Sequence, residues 1–165
     1  MKHLVACLSL IGALLFSSQA FAQNAEQIES VKEGKTTCSN CNLFQADFQG
    51  LNLSDRTFNG ARLRQSDLSI SLLDRANFNG ANLSVANLFG ARLQNTNLKN
   101  ANLKDATLVG AWLGGADLTG ADLQGAVLSG AYLKTAKGLT TEQLSGAICD
   151  ASTELPSGLS LDSCQ

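Results

Sequence analysis

Cysteine is the residue of this sequence with the widest chemistry. The 165 residues include five cysteines, and Cys38 and Cys41 form a Cys-x-x-Cys motif. Such a motif can exchange disulfides with a partner, form a structural disulfide bond, or supply two thiolates to a metal site. The only histidine is His3. Since His3 lies in a segment that we expect to be removed, the mature chain offers no imidazole as a general base or metal ligand.

The N-terminal segment has the pattern of a secretory signal peptide. Lys2 precedes an apolar run from Leu4 to Phe16, and the small-x-small pattern Ala20-Phe21-Ala22 follows. This pattern predicts cleavage between Ala22 and Gln23. The apolar run is too short for a permanent anchor, so we expect no membrane anchor once the signal is removed. The sequence therefore predicts an exported protein.

Charge and residue types argue against two classes of function. The formal net charge is −2, and removal of residues 1–22 leaves 11 basic and 14 acidic residues, a net charge of −3. A chain so close to neutral predicts no nucleic-acid partner. No nucleophile and base are spaced for catalysis, so we expect neither an enzyme nor a cofactor.

A five-residue period runs through the centre of the chain. From residue 43 to residue 133 every fifth residue is Leu or Phe, which gives 19 copies without an insertion. In 13 copies Ala stands two positions before the Leu or Phe, and in 11 copies Asn or Asp lies between them. We call the five positions small, outward, central, first corner and second corner, in chain order. An uninterrupted short repeat of this kind indicates a solenoid.

The period indicates extended chain rather than helix. Leucines five residues apart would turn by about 140° per step around an α-helix and would not share one face. The glycines that recur at the second corner would each cost a helix about 1 kcal/mol. In extended chain the small and central residues both face inward, because they are two apart, and the outward residue faces solvent. The last two residues of each unit then turn the chain at a corner.

The unit Ala-Asp-Leu-x-Gly, seen at 116–120 and 121–125, resembles the pentapeptide repeat family. The resemblance covers residues 41–135 and implies an all-β fold, a right-handed quadrilateral β-helix with four repeats per square coil. At the spacing of paired strands, the 19 repeats would make a rod about 23 Å long. The entry segment 38–43 and the exit segment 138–144 resemble those of exported, cyanobacterial-type members. The resemblance thus implies the periplasm or the thylakoid lumen.

A second role known in this family is mimicry of DNA, by which some cytoplasmic members bind gyrase. The near-neutral charge and the predicted signal peptide argue against that role for this chain.

We expect four segments: a signal peptide at 1–22, an N-terminal cap at 23–40, the solenoid at 41–135, and a C-terminal cap with a disulfide loop at 136–165. Caps are expected because the ends of a β-solenoid expose unpaired backbone edges. Asn24 as an N-cap, with Gln27 three residues later, predicts a short helix at one end. Thr140 with Gln143 predicts a second short helix at the other end.

Two small positions in the first coil hold large residues, Leu51 and Arg56. An unpaired buried guanidinium is costly. We therefore expect a distorted first coil in which Arg56 reaches solvent or pairs with an acid such as Asp55.

Four cysteines remain after removal of the signal: Cys38, Cys41, Cys149 and Cys164. An even number in an exported chain favours disulfides. The two pairs flank a rod of about 23 Å, whereas the Cα atoms of bonded cysteines lie within about 7 Å. This favours the pairing Cys38–Cys41 and Cys149–Cys164 and disfavours a zinc site, so we expect no metal. Thiol–disulfide exchange at an open Cys38/Cys41 dithiol remains the alternative function.

In a square coil, residues 20 apart stack on one side. One such stack of outward residues, which we call the Trp112 column, consists of Asn52, Leu72, Arg92, Trp112 and Tyr132. Trp112 and Tyr132 are the only tryptophan and tyrosine of the chain. We expect Arg92 to lie over the Trp112 ring. An aromatic ladder that only stabilises adjacent coils is the alternative interpretation of this column.

Exposed aromatic and arginine side chains are typical anchors of protein interfaces. The column therefore predicts partner binding by Leu72, Arg92, Trp112 and Tyr132, and Phe89 on the adjacent side widens the apolar surface. We expect a non-catalytic exported scaffold or interaction module that binds a protein of unknown identity. A homodimer could use the same surface.

Overall fold

The structure is a computed structural model that describes residues 24–165. The predicted signal peptide and its cleavage site, Ala22 and Gln23, lie outside the described residues. Within residues 24–165, no helix has both the length and the apolar character needed to cross a membrane.

Residues 36–137 form a regular coil that repeats every 20 residues. From Thr37 to Asp117, each outward residue makes a one-residue parallel bridge with the residue 20 positions later, as in Asn82↔Asn102. The bridges are locked by backbone hydrogen bonds, such as the one from Leu63 N–H to the Asn82 carbonyl O at 2.7 Å. A 20-residue turn made of five-residue units has four sides. Each side is one five-residue unit long, and only its outward residue forms a bridge. The coil therefore contains single-residue bridges rather than long strands.

The corners between residues 44 and 130 are tight turns whose second-corner residue has a left-handed φ, whereas Thr135 at the last corner does not. In the first full repeat, the Ala46 N–H donates to the Leu43 carbonyl O at 3.1 Å, which closes a four-residue turn. The second-corner residue of this turn, Gln45, has a φ of 55°. Gly and Asn adopt this region at the lowest cost, which explains why they recur at the second corner.

The core consists of stacked central residues beside stacked small residues. Leu103 and Ala101 are fully buried, as are their equivalents in neighbouring coils. Phe58 and Phe78 stack with ring centroids 5.0 Å apart and planes 11° apart. Where serine replaces alanine its hydroxyl is satisfied, since Ser66 Oγ donates to a backbone carbonyl O at 2.7 Å. Burial of each leucine stabilises the coil by about 1.5–3 kcal/mol.

A helix, α1, covers the first coil and includes residues 24–32. Val31 is fully buried, and Ile28 packs against the core. Asn24 already belongs to this helix, so its expected role as N-cap is wrong. Its side chain and that of Gln27 bind the first coil instead. Asn24 Nδ2 donates to a backbone carbonyl O of that coil at 3.4 Å, and Gln27 Oε1 accepts the Asn42 N–H at 2.6 Å.

Arg56 ties α1 to the coil. Its Nη1 donates to the Val31 carbonyl O at 2.5 Å, and its Nη2 donates to the Asn52 carbonyl O at 3.2 Å. Arg56 is half-buried and so reaches solvent in part, as expected, but it does not pair with Asp55, because the free carbonyls at the end of a helix attract a cation. Asp55 pairs with Arg75 instead, at 2.6 Å. The first coil keeps its bridges to the second, so the expected distortion of its ladder does not occur.

An irregular last turn closes the other end of the coil and contains α2 (Thr141–Leu144) and the 3-10 helix η1 (Leu161–Ser163). Thr140 and Gln143 form a capping box, so the prediction of a short helix here is confirmed. Gln143 Nε2 also donates to two backbone carbonyls of the last regular coil, at 2.9 and 2.8 Å. The helix thus satisfies acceptors that the end of the coil would otherwise leave open.

Candidate functional site

The Trp112 column occupies one flat side of the coil. Parallel bridges connect its members in the expected order, from Asn52 through Leu72, Arg92 and Trp112 to Tyr132. The four residues predicted to bind a partner therefore share one surface. Their exposure differs: Trp112 is 53% exposed and Arg92 is also exposed, whereas Leu72 and Tyr132 are half-buried.

Trp112 and Tyr132 form an aromatic pair on this column. Their ring centroids are 5.7 Å apart, and their planes are tilted by 30°. The backbone beneath them is fixed, because the N–H groups of Trp112 and Tyr132 each donate to the preceding coil at 2.9 Å. A pair of this kind stabilises adjacent coils by about 0.5–1.5 kcal/mol. Trp112 nevertheless leaves half of its surface in solvent.

Arg92 forms an ion pair with Asp74. Its Nε donates to Asp74 Oδ2 at 2.6 Å, and its Nη2 lies 2.6 Å from the same oxygen. Asp74 is buried and also accepts the Gln94 N–H on Oδ1 at 3.1 Å. The ion pair replaces the expected stacking of Arg92 on Trp112, because a buried carboxylate attracts a guanidinium more strongly than an exposed ring does. The ion pair fixes the orientation of the Arg92 side chain on the column.

A shallow groove of about 540 Å³ lies beside the aromatic pair. The residues that line it include Gly114, Gly115 and the two aromatic residues Trp112 and Tyr132. Among the 19 repeats, Gly114 is the only glycine at the first corner. The side chain that fills this place in every other repeat is thus missing here. Our sequence analysis missed the groove, although a lone first-corner glycine was the signal that could have revealed it.

A second apolar surface lies on the adjacent side. Ile70 and Phe89 are 55% and 52% exposed, and the Ile70 N–H donates to the Phe89 carbonyl O at 2.8 Å. Phe89 was predicted to widen the apolar surface, whereas Ile70 was not, because Ile70 stands at a second corner where small or polar residues are usual. The two residues extend the apolar area near Leu72.

The cysteines form two disulfides, each between cysteines at the same end of the coil. Cys38 bonds to Cys41 with a Cα–Cα distance of 5.3 Å, and Cys149 bonds to Cys164 with a Cα–Cα distance of 5.7 Å. Cys38 and Cys41 are only 1% and 8% exposed, since both belong to the core. In the part of the chain that the structure describes, no group of three or more His, Cys, Asp or Glu residues could hold a metal ion.

Coil geometry and core together define a β-solenoid of five-residue units. The family model for pentapeptide repeats (8 copies) matches residues 36–74, 71–105 and 101–137, which is more than half of the chain. The chain therefore belongs to the pentapeptide repeat family, and its coil is a right-handed quadrilateral β-helix.

Several solved structures are similar to this chain. HetL, a pentapeptide repeat protein involved in heterocyst differentiation regulation from the cyanobacterium Nostoc sp. strain PCC 7120, is 32% identical; the match covers 74% of this chain and 59% of HetL, with a TM-score of 0.43. A pentapeptide repeat protein from the Arabidopsis thaliana thylakoid lumen is 32% identical. The match covers 55% of this chain and 61% of that protein, with a TM-score of 0.29. Rfr23 from the cyanobacterium Cyanothece 51142 is 27% identical. The match covers 82% of this chain and 99% of Rfr23, with a TM-score of 0.33.

The chain spans about three fifths of the length of the first two of these proteins, whose matches cover 59% and 61%. No curated protein sequence matches it.

Proposed function

We propose that this chain is a non-catalytic, exported interaction module that binds a protein through the Trp112 column. The observation that carries the proposal is Trp112, a residue that is 53% exposed on a rigid, flat surface. Apolar surface removed from water stabilises a complex by about 25 cal/mol per Å². Tryptophan and arginine are the residues that most often dominate such interfaces. Trp112 and Arg92 are therefore the expected anchors, with Leu72 and Tyr132 beside them.

Rigidity favours binding at this surface. The backbone of the column is bridged on both sides, and Arg92 is held by Asp74. A partner would not have to order a loop or a long cationic side chain on binding, and these ordering steps are a main cost of association. The column is thus preorganised for a partner of fixed shape.

The non-catalytic part of the proposal is based on residue types. The only histidine of the chain is His3, within the predicted signal peptide. Several of the described carboxylates serve corners and ion pairs, as in Asp55–Arg75 and Asp74–Arg92. A surface that presents flat sides and a shallow groove suits recognition better than chemistry on a bound substrate.

Export is supported by two features of the chain. The pattern of residues 1–22 is that of a signal peptide. The two disulfides require an oxidising compartment to persist. We place the protein in the periplasm or the thylakoid lumen, and we retain the four segments 1–22, 23–40, 41–135 and 136–165 as part of the proposal.

Thiol–disulfide exchange is the weaker candidate function. Exchange requires a thiolate to attack a sulfur atom of the disulfide. Cys38 and Cys41 are buried and belong to the core at one end of the coil. A partner thiol would reach them only after that end of the molecule had opened, so we favour a structural role for this disulfide.

The proposal is tested by partner capture from the exported fraction of the native cell. The variant Trp112→Ala/Tyr132→Ala should capture at least about tenfold less partner, since anchor residues contribute 2 kcal/mol or more. Asn77→Ala/Asn97→Ala removes two stacked outward side chains from another side and should leave capture unchanged. Capture of a second copy would identify a homodimer. Equal capture by both variants, with unchanged circular dichroism, would exclude the Trp112 column as the interface.

A further inference from the structure

The structure assigns a ligand to the groove beside Gly114 and Gly115: we propose that it binds one pyranose unit of a gluco-configured glycan. This site shares Trp112 and Tyr132 with the proposed protein interface but would bind a different class of ligand. The inference goes beyond that proposed function and does not depend on it.

The groove is open at Gly114 for reasons of space rather than backbone conformation. Gly115 has a φ of +71° and needs the left-handed region, but Gly114 does not have a left-handed φ. A Cβ atom at residue 114 would lie 3.3 Å from Tyr132 Cε1 and 3.5 Å from Thr135 Oγ1. Every other repeat carries a side chain at this position. A Cβ atom at 114 would crowd the Tyr132 ring, so glycine makes room for that ring and for the groove beside it.

The walls of the groove combine aromatic carbon with uncharged polar groups. Trp112 and Tyr132 supply the aromatic carbon, while Gln94, Asn95 and Thr135 supply the uncharged polar groups. A gluco-configured pyranose has equatorial hydroxyls and axial C–H groups, so its faces pack on aromatic rings while its rim forms hydrogen bonds. Amide and hydroxyl side chains both donate and accept, as the sugar hydroxyls do. The two kinds of surface thus match the two kinds of group on the sugar.

The size and charge of the groove fit the same ligand. Its volume of about 540 Å³ lies within the range of roughly 300–1,000 Å³ found for small-ligand sites. Seven of the eight lining residues are uncharged, and the exception, Lys137, can donate hydrogen bonds to sugar hydroxyls. A peptide that pairs as an added strand is disfavoured, because the backbone of the Trp112 column is already bridged on both sides.

The test uses the fluorescence of Trp112, which reports on the groove alone because the sequence has no other tryptophan. The mature chain is titrated with cellotetraose. We expect a saturable change in emission with an affinity in the millimolar range, about 0.1–5 mM, as for a shallow site. Gly114→Gln places in the groove the side chain that Gln94 carries in the preceding coil, and it should weaken binding about tenfold or more. Asn79→Gln, a first-corner substitution on another side, should bind as the wild type does.

Each outcome decides the proposal. No saturable change with wild type up to about 20 mM cellotetraose, or equal affinity in Gly114→Gln, would overturn it. A saturable response to a decaproline peptide with none to cellotetraose would also overturn it and assign the groove to a peptide. If Gly114→Gln loses its β circular dichroism, Gln94→Ala replaces it as a variant that adds no volume, with an expected loss of about threefold. Protein capture is measured on the same variants, so failure of the glycan site and failure of the protein interface are separate results.

Discussion

Outward acidic residues have a structural task on this coil, and Asp117 shows it at the scale of a single residue. Asp117 Oδ1 accepts the Thr119 N–H at 3.1 Å and the Thr119 hydroxyl at 2.6 Å, while Lys99 Nζ lies 3.1 Å from Oδ2. The carboxylate thereby fixes the corner that follows it. The same arrangement recurs at Asp150 with Ser152. Asn or Asp at the outward position is therefore selected by the turn rather than by a ligand.

These contacts predict a pH dependence of stability. The Thr119 hydroxyl, and to a smaller extent Lys99, lowers the pKa of Asp117 below its ordinary value. Because the pKa is lower in the folded than in the unfolded state, Asp117 stabilises the fold above its unfolded pKa of about 4 and loses this contribution as the pH falls through the folded pKa. We expect Thr119→Val to raise the pKa of Asp117, as measured by carboxyl NMR titration. Asp55, whose pKa is lowered by Arg75, is the internal control; an unchanged Asp117 pKa would contradict the assignment.

At the scale of elements, α1 acts as a lid attached to the first coil by few contacts. Val31 is its one fully buried residue, and Arg56 holds the helix end through the Val31 carbonyl O. We expect Arg56→Met to speed hydrogen exchange of the α1 amides about tenfold, since a charge-assisted hydrogen bond contributes about 1.5–3 kcal/mol. Amides of the central coils should exchange as before. Arg64→Met, at an exposed first corner, is the control. If the α1 amides exchange at the same rate in both variants, Arg56 does not hold α1 on the first coil.

The coil could be predicted from the sequence because each five-residue unit repeats the same roles. Leu103 and Ala101 face inward for the same reason as their equivalents 20 residues away, so one unit predicts the rest. The cap contacts could not be predicted in this way. Arg56 reaches Val31 across 25 residues of sequence, and no repeat indicates that pairing.

The candidate site was predictable in part, for a related reason. The order of the Trp112 column follows from the 20-residue period alone. Arg92 instead pairs with Asp74, 18 residues earlier, which joins an outward position to a first corner of the previous coil. Residues of one column are 20 apart in sequence, so a comparison limited to that spacing does not reveal this contact. Gly114 was overlooked because glycine is common at corners, although at the first corner it stands alone.

At the scale of the whole molecule, the two ends of the rod are closed to different degrees. Cys38–Cys41 is buried in the core, whereas Cys149 and Cys164 are half-buried in the last turn. We therefore expect a mild reductant to open Cys149–Cys164 first under native conditions, because thiol attack requires access to sulfur. Intact mass after alkylation of free thiols measures the order. In denaturant this difference in access should disappear. If Cys38–Cys41 is instead reduced first under native conditions, the redox function becomes the favoured one.

The central claim is that one side of this rod recognises a protein. Its most direct test is site-specific photo-crosslinking in the native compartment, with a benzophenone side chain in place of Trp112 or, on the opposite side of the same rod, in place of Asp122. Both residues are exposed at outward positions, so the two probes differ in the side that they face. We predict that the probe at 112 yields a discrete crosslinked protein and that the probe at 122 does not. The same crosslinked protein from both positions, or from neither, would contradict the claim.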